Sequence, residues 1–95
     1  MIVSFCDEET ELVWKGCFSK KIKLPSQLQD MARRKLRMLA AATTIETLRV
    51  PPGNRLETLR GSRTGQWSIR IDEQWRICFK WEDGNASEVE ITDCH

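Results

Sequence analysis

A chain of 95 residues with 40% hydrophobic and 31% charged side chains has the make-up of one small globular domain, spanning residues 1–95, and not of a disordered segment. No apolar run approaches the ~18 residues of a membrane span, and acids instead of a basic signal-peptide start follow Met1, so a cytoplasmic protein without a membrane partner is expected. Cys6, Cys17, Cys78 and Cys94 form no CxxC pair and His95 is the only imidazole, which predicts reduced thiols, no metal site and no cofactor.

The net charge of +1 conceals an uneven distribution. Residues 19–49 carry eight basic side chains against Asp30 and Glu46, a local charge of +6, whereas residues 1–18 carry −3 and residues 50–95 carry −2. A basic segment of this kind suits either a solvated helix face or a polyanionic partner.

In chain order, the β-branched and aromatic stretch Met1–Cys6 predicts a first strand. Asp7, Glu8 and Glu9 suit the positive end of a helix running to about Lys15, which Gly16 closes. After a basic connector over residues 17–24, Ser26 and Gln29 have capping-box spacing and open a second helix. Leu28, Met31, Ala32, Leu36 and Leu39 recur at three- and four-residue intervals and mark its buried side; Gln29, Arg33 and Arg37 are assigned to water. Thr43 and Glu46 repeat the box spacing and predict one short helical turn before Pro51-Pro52-Gly53-Asn54 ends helix formation.

The remainder reads as four strands: Arg55–Arg60, Gln66–Ile71, Trp75–Glu82 and Glu88–Asp93, with short connections that include an Asp-Gly-Asn hairpin signal. Alternation puts Trp67, Ile69 and Ile71 on one face with Trp75, Ile77, Phe79 and Trp81, and gives the other face Gln66, Ser68, Arg70, Arg76, Cys78 and Lys80. A sheet with one apolar and one polar face calls for antiparallel pairing. The expected class is α+β, with N-terminal helices on one face of a small, mainly antiparallel sheet.

Arg55, Arg60, Arg63, Arg70, Arg76 and Lys80 lie on or between these strands. They suit phosphate, since a guanidinium binds two oxygens at once; equally, they suit solubility charges paired across strands with Glu57, Glu82, Glu88 and Glu90. The chain ends Asp93-Cys94-His95. RNA cleavage requires a base for the 2′-OH proton, cations for the charge developing on phosphorus and an acid for the leaving oxygen. His95, the arginines, and one of Glu57 or Asp93 offer those groups.

The segments PPGNRLETLRGSRTGQWSIRIDEQWRICFKWEDG (51–84) and VEITDCH (89–95), with RRKLRMLAAATTIETLRVPPGNRLE upstream, are similar to the HigB-type plasmid maintenance killer toxins of the RelE/ParE superfamily. The resemblance implies a compact RelE-like fold, ribosome-dependent cleavage of mRNA in the ribosomal A site, and a helix-turn-helix HigA-type antitoxin through which the complex binds operator DNA. It implies catalytic roles for His95, Asp93, Glu57, Arg76 and Arg60, and RNA contacts from Arg63, Arg70, Lys80, Gln74 and Cys94. The family's terminal Asp-Tyr-His falls on Asp93, Cys94 and His95, so a thiol stands in place of the stacking Tyr, and Glu57 stands where some relatives have a His. Two other readings share this fold: a ParE-like toxin that binds DNA gyrase, and a catalytically weakened relative that mainly binds its antitoxin.

Overall fold

A computed structural model describes residues 1–17 and 19–93. Helix α1 spans Glu8–Lys15 and α2 spans Ser26–Ala41; strands β1 (Glu57–Thr58), β2 (Gln66–Arg70), β3 (Trp75–Glu82) and β4 (Asn85–Asp93) follow. They form one antiparallel sheet in the order β1-β2-β3-β4. The α+β class, the antiparallel sheet and the two helices match the expectation.

Helix α1 starts where the Asp7 carboxylate accepts the Thr10 N–H at 2.9 Å and stops at Gly16, whose φ of 75° only glycine adopts cheaply. The capping box expected for α2 is not formed. Pro25 takes the N-cap position without a side-chain cap bond, and Gln29 Nε2 turns back to donate to the Leu24 carbonyl at 3.0 Å. Proline disfavours helical backbone in the residue before it, so Pro25 fixes where α2 can begin. The turn expected near Thr43 and Glu46 is a 3₁₀ helix over Ile45–Arg49, again without a side-chain cap bond at its start.

Ala32, Leu36 and Leu39 of α2 are buried with Val13 of α1, Leu24 and Leu48 against Ile69, Ile77, Phe79 and Val89 of the sheet. Two residues of α2 depart from the expected pattern. Met31, placed on the buried side by spacing, is 42% exposed. Arg33, assigned to water, lies across the end of α1, where its Nε donates to the Val13 carbonyl at 3.1 Å and its Nη1 meets Asp30 at 2.9 Å. A long basic side chain beside a helix C-terminus finds carbonyls there with acceptor capacity left over, and the negative end of the helix dipole, which periodicity alone does not register.

The expected first strand is reduced to two isolated parallel bridges, Ile2 with Ala86 and Phe5 with Val89. The cause lies in β4. Its register against β3 shifts between Cys78 and Lys80, and Glu88 adopts φ 49°, a bulge that breaks the outer ladder between the two bridges. Ser4 Oγ accepts the displaced Glu88 N–H at 2.8 Å, and Thr10 Oγ1 accepts the Ile91 N–H at 2.9 Å, so residues 1–10 cover this edge of the sheet. The strand expected over residues 55–60 shortens to Glu57–Thr58, because Arg55 is left-handed (φ 45°) and Arg60 already leads into the 3₁₀ turn Gly61–Arg63.

The hairpin signal is realised: Asp83 (φ 51°) and Gly84 (φ 78°) both take positive φ between β3 and β4, the pattern of a type I′ turn. In the β2–β3 connection the Asp72 carboxylate accepts the N–H groups of Gln74 (2.9 Å) and Trp75 (2.7 Å).

Candidate active site

The core residues occupy the helix-facing side of the sheet, leaving the opposite face to the polar set. Its registers form three rows: Arg70, Arg76 and Thr92; Glu57, Ser68, Cys78 and Glu90; and Gln66, Lys80 and Ser87. The middle row has its two smallest members, Ser68 and Cys78, at the centre, and both are buried. Long side chains from neighbouring positions lie over these small ones.

Arg76 is the best fixed of them. Its Nε donates to Ser68 Oγ at 2.9 Å, its Nη2 donates to the Arg55 carbonyl at 2.9 Å, and Glu57 Oε2 lies 3.4 Å from the same nitrogen. The left-handed turn at Arg55 follows the Pro52–Asn54 turn and leads directly into β1, where Glu57 stands. With 17% of its side chain exposed, Arg76 is largely covered, while Glu57 is 54% exposed. The result is a positioned guanidinium whose Nη1 has no partner among the described residues, beside a solvent-accessible carboxylate. Such an arrangement binds a phosphate oxygen without having to order a long side chain first.

Arg60 is exposed at the start of the Gly61–Arg63 turn and, among the described residues, makes no side-chain hydrogen bond or ion pair. With Glu57 and Arg49 it borders a groove of about 640 Å³ whose apolar lining comes from Leu56, Leu59 and Trp67. Arg70 stands beside Arg76 in the register, but its Nε donates to the Asp72 carbonyl at 2.9 Å. Asp93 pairs with Trp75, one position out of step with the Arg76 row, and accepts from Gln74 Nε2 at 3.0 Å.

At the far side of the face the cations are paired. Arg63 donates from Nη1 to Gln66 (3.2 Å) and from Nη2 to Glu90 (2.7 Å), and Lys80 meets Glu88 at 2.6 Å. The hydrogen bond to Glu90 raises the Arg63 pKa, and that to Glu88 raises the Lys80 pKa above its ordinary 10.5. Cross-strand pairing with Glu57, Glu88 and Glu90 is thus present at three cations. The structure therefore brings Glu57 and Arg76 together with Arg60 close by and groups Gln74 with Asp93, while Arg63 and Lys80 stand apart with their own acids. Cys94 and His95 lie outside the described residues. Sequence reasoning missed Ser68 and the Arg55 carbonyl, which hold Arg76; small residues at adjacent same-face positions, Ser68 and Cys78 between basic neighbours, are the signal that points to them.

Two solved structures share the architecture. A YafQ variant from E. coli superposes with a TM-score of 0.65 at 13% identity, over 98% of this chain and 93% of its own. The YoeB–YefM complex from Staphylococcus aureus does so with a TM-score of 0.60 at 13% identity, over 100% and 98%. The fold is that of the RelE-like toxins. Residues 10–95 also match the family model for the RelE-like toxin of type II toxin–antitoxin system HigB, and the chain belongs to this HigB-like toxin family. It is 46% identical over 63 residues to Toxin HigB-1 of Vibrio cholerae, a match that spans 66% of each chain. Over 100% of both chains it is 34% identical to Endoribonuclease HigB of Proteus vulgaris.

Proposed function

We propose that this toxin is an endoribonuclease that cuts messenger RNA in the ribosomal A site and so arrests translation and growth. The carrying observation is Arg76, fixed by Ser68, the Arg55 carbonyl and Glu57 on the polar face of the sheet, with Nη1 left over among the described residues. In the reaction the RNA 2′-oxygen gives its proton to a base and bonds to phosphorus. The bond from phosphorus to the 5′-oxygen breaks, and an acid protonates the leaving oxygen. Arg76 and Arg60 hold the phosphate and neutralise the charge that develops on it. The proton-transfer roles fall to Glu57, Asp93 and His95, with His95 assigned through the family's terminal His. Arg63, Arg70, Lys80, Gln74 and Cys94 extend the RNA-binding surface.

The match to a named endoribonuclease over its whole length supports this activity, and the family assignment gives no support to the gyrase-binding alternative. The type II family calls for an antitoxin, and the neighbour YoeB is itself seen with YefM. We assign this toxin a helix-turn-helix antitoxin of the HigA type, through which the pair binds operator DNA, and a site of action in the cytoplasm. No helix among the described residues is long and apolar enough to cross a membrane.

Single-turnover cleavage of a defined mRNA on programmed ribosomes tests the reading. Arg76→Ala is expected to lower the rate by about 10²-fold while the fold persists. A rate equal to the parent's, or a parent that makes no cuts, would overturn it.

A further inference from the structure

Two glutamates of β4 have no part in the chemistry above, yet both act on its surface. Glu90 draws the Arg63 side chain across the polar face from the Gly61–Arg63 turn to a 2.7 Å pair, and Glu88 holds Lys80 at 2.6 Å. Together with Glu57 on Arg76, each of the three cations has its own carboxylate, so these six groups sum to no net charge. The outer pairs reach solvent to different degrees, with side-chain exposures of 52% and 51% for Lys80 and Glu88, and 40% and 23% for Arg63 and Glu90. The Lys80–Glu88 pair, half-exposed at both partners, adds little to folding stability and exchanges partners readily; the Arg63–Glu90 pair is half-buried on the Glu90 side but keeps its guanidinium open to solvent.

Glu88 makes the point sharper, because its backbone works against it. At φ 49° it occupies the left-handed region in which a side chain is strained and glycine is at ease. The bulge, supported by Ser4, nevertheless sets a carboxylate there, within reach of Lys80.

We propose that Glu88 and Glu90 are specificity residues: they occupy Lys80 and Arg63 as exchangeable counter-ions and thereby suppress binding of ribosome-free RNA. This rests on the endoribonuclease reading. A loose strand must displace carboxylates that remain on the face and repel its phosphates, so these three charge-balanced pairs contribute little to holding it. A strand already held by the ribosome arrives at high effective concentration and drives the exchange.

The test is equilibrium binding of a short labelled single-stranded RNA to the purified toxin across a salt series, without ribosomes. The double variant Glu88→Gln, Glu90→Gln is expected to bind about 5- to 10-fold more tightly with a steeper salt dependence. Glu11→Gln removes an acid paired with Lys15 at 2.8 Å on α1, away from the face, and is expected to shift affinity less than about twofold. Glu88→Gly is expected to raise RNA affinity and the Tm together, because it frees Lys80 and relieves the backbone. The proposal is overturned if the double variant binds no more tightly than Glu11→Gln, or if Glu88→Gly lowers the Tm and leaves RNA affinity unchanged. Cleavage of mRNA on programmed ribosomes by the parent, measured alongside, separates the two ideas. Tighter RNA binding by the double variant with no cleavage by the parent would remove the endoribonuclease reading and leave the counter-ion roles standing.

Discussion

At the scale of single residues, position matters more than charge. Arg76 is one of several arginines on the sheet, but among the described residues it alone is held by a buried hydroxyl, a main-chain carbonyl and a carboxylate at once. Ser68→Ala keeps the volume of the bed and removes one of these holds. It is expected to slow cleavage about 5- to 10-fold, with the Tm nearly unchanged, since one hydrogen bond is worth ~0.5–1.5 kcal/mol. Ser68→Thr, which retains the hydroxyl, should recover part of the rate; equal losses in both variants would show that packing, not the hydrogen bond, is at issue. Asn54 is the structural counterpart. Fully buried, it donates to the Leu48 carbonyl at 3.1 Å and the Val50 carbonyl at 3.4 Å and accepts from Lys35 Nζ, so it anchors the loop that leads into Arg55. Asn54→Ala strands the buried Leu48 carbonyl and leaves a cavity at a fully buried position, and is expected to destabilise the fold by about 2–3 kcal/mol, read from denaturant unfolding.

At the scale of elements, what the sequence disclosed is what repeats. The helical spacing of Ala32, Leu36 and Leu39 and the alternation of Trp75, Ile77 and Phe79 each reflect burial against one continuous core, and both are found as read. Features set by contacts between distant segments were not legible. The bulge at Glu88 reduces the N-terminal strand to two bridges, and the capping-box spacing at Ser26 is overridden by Pro25. In the site the six basic residues were readable as a group. Their partners were not, because long side chains reach several acids and only the register decides which; Arg63 thus finds Glu90, 27 positions away. The hairpin supplies a sharp test of an element read correctly. Gly84 has φ 78°, and a Cβ there would lie 3.1 Å from the Thr43 carbonyl oxygen. Gly84→Ala should therefore cost about 1–2 kcal/mol, whereas a neutral change would mean that neither the turn nor the Thr43 approach constrains this position.

At the scale of the molecule, a core on one side of the sheet frees the other for polar chemistry. The N-terminal segment and α1 cover the β4 edge, while the groove bordered by Arg60 and Glu57 lies beside β1 at the other edge. This is the RelE-like plan of the HigB-like toxin family to which the chain belongs, and here its open face carries paired arginines and acids. The central claim is that this face cleaves mRNA on the ribosome, and mapping the 5′ ends of cellular mRNA after brief induction of the toxin tests it most directly. The account predicts new ends at A-site codons of translated messages in cells making the parent. It predicts that these ends are lost, at equal protein level, with Arg76→Ala and with His95→Ala. Ends of equal abundance in both variants, or growth arrest by the parent without new ends, would contradict it.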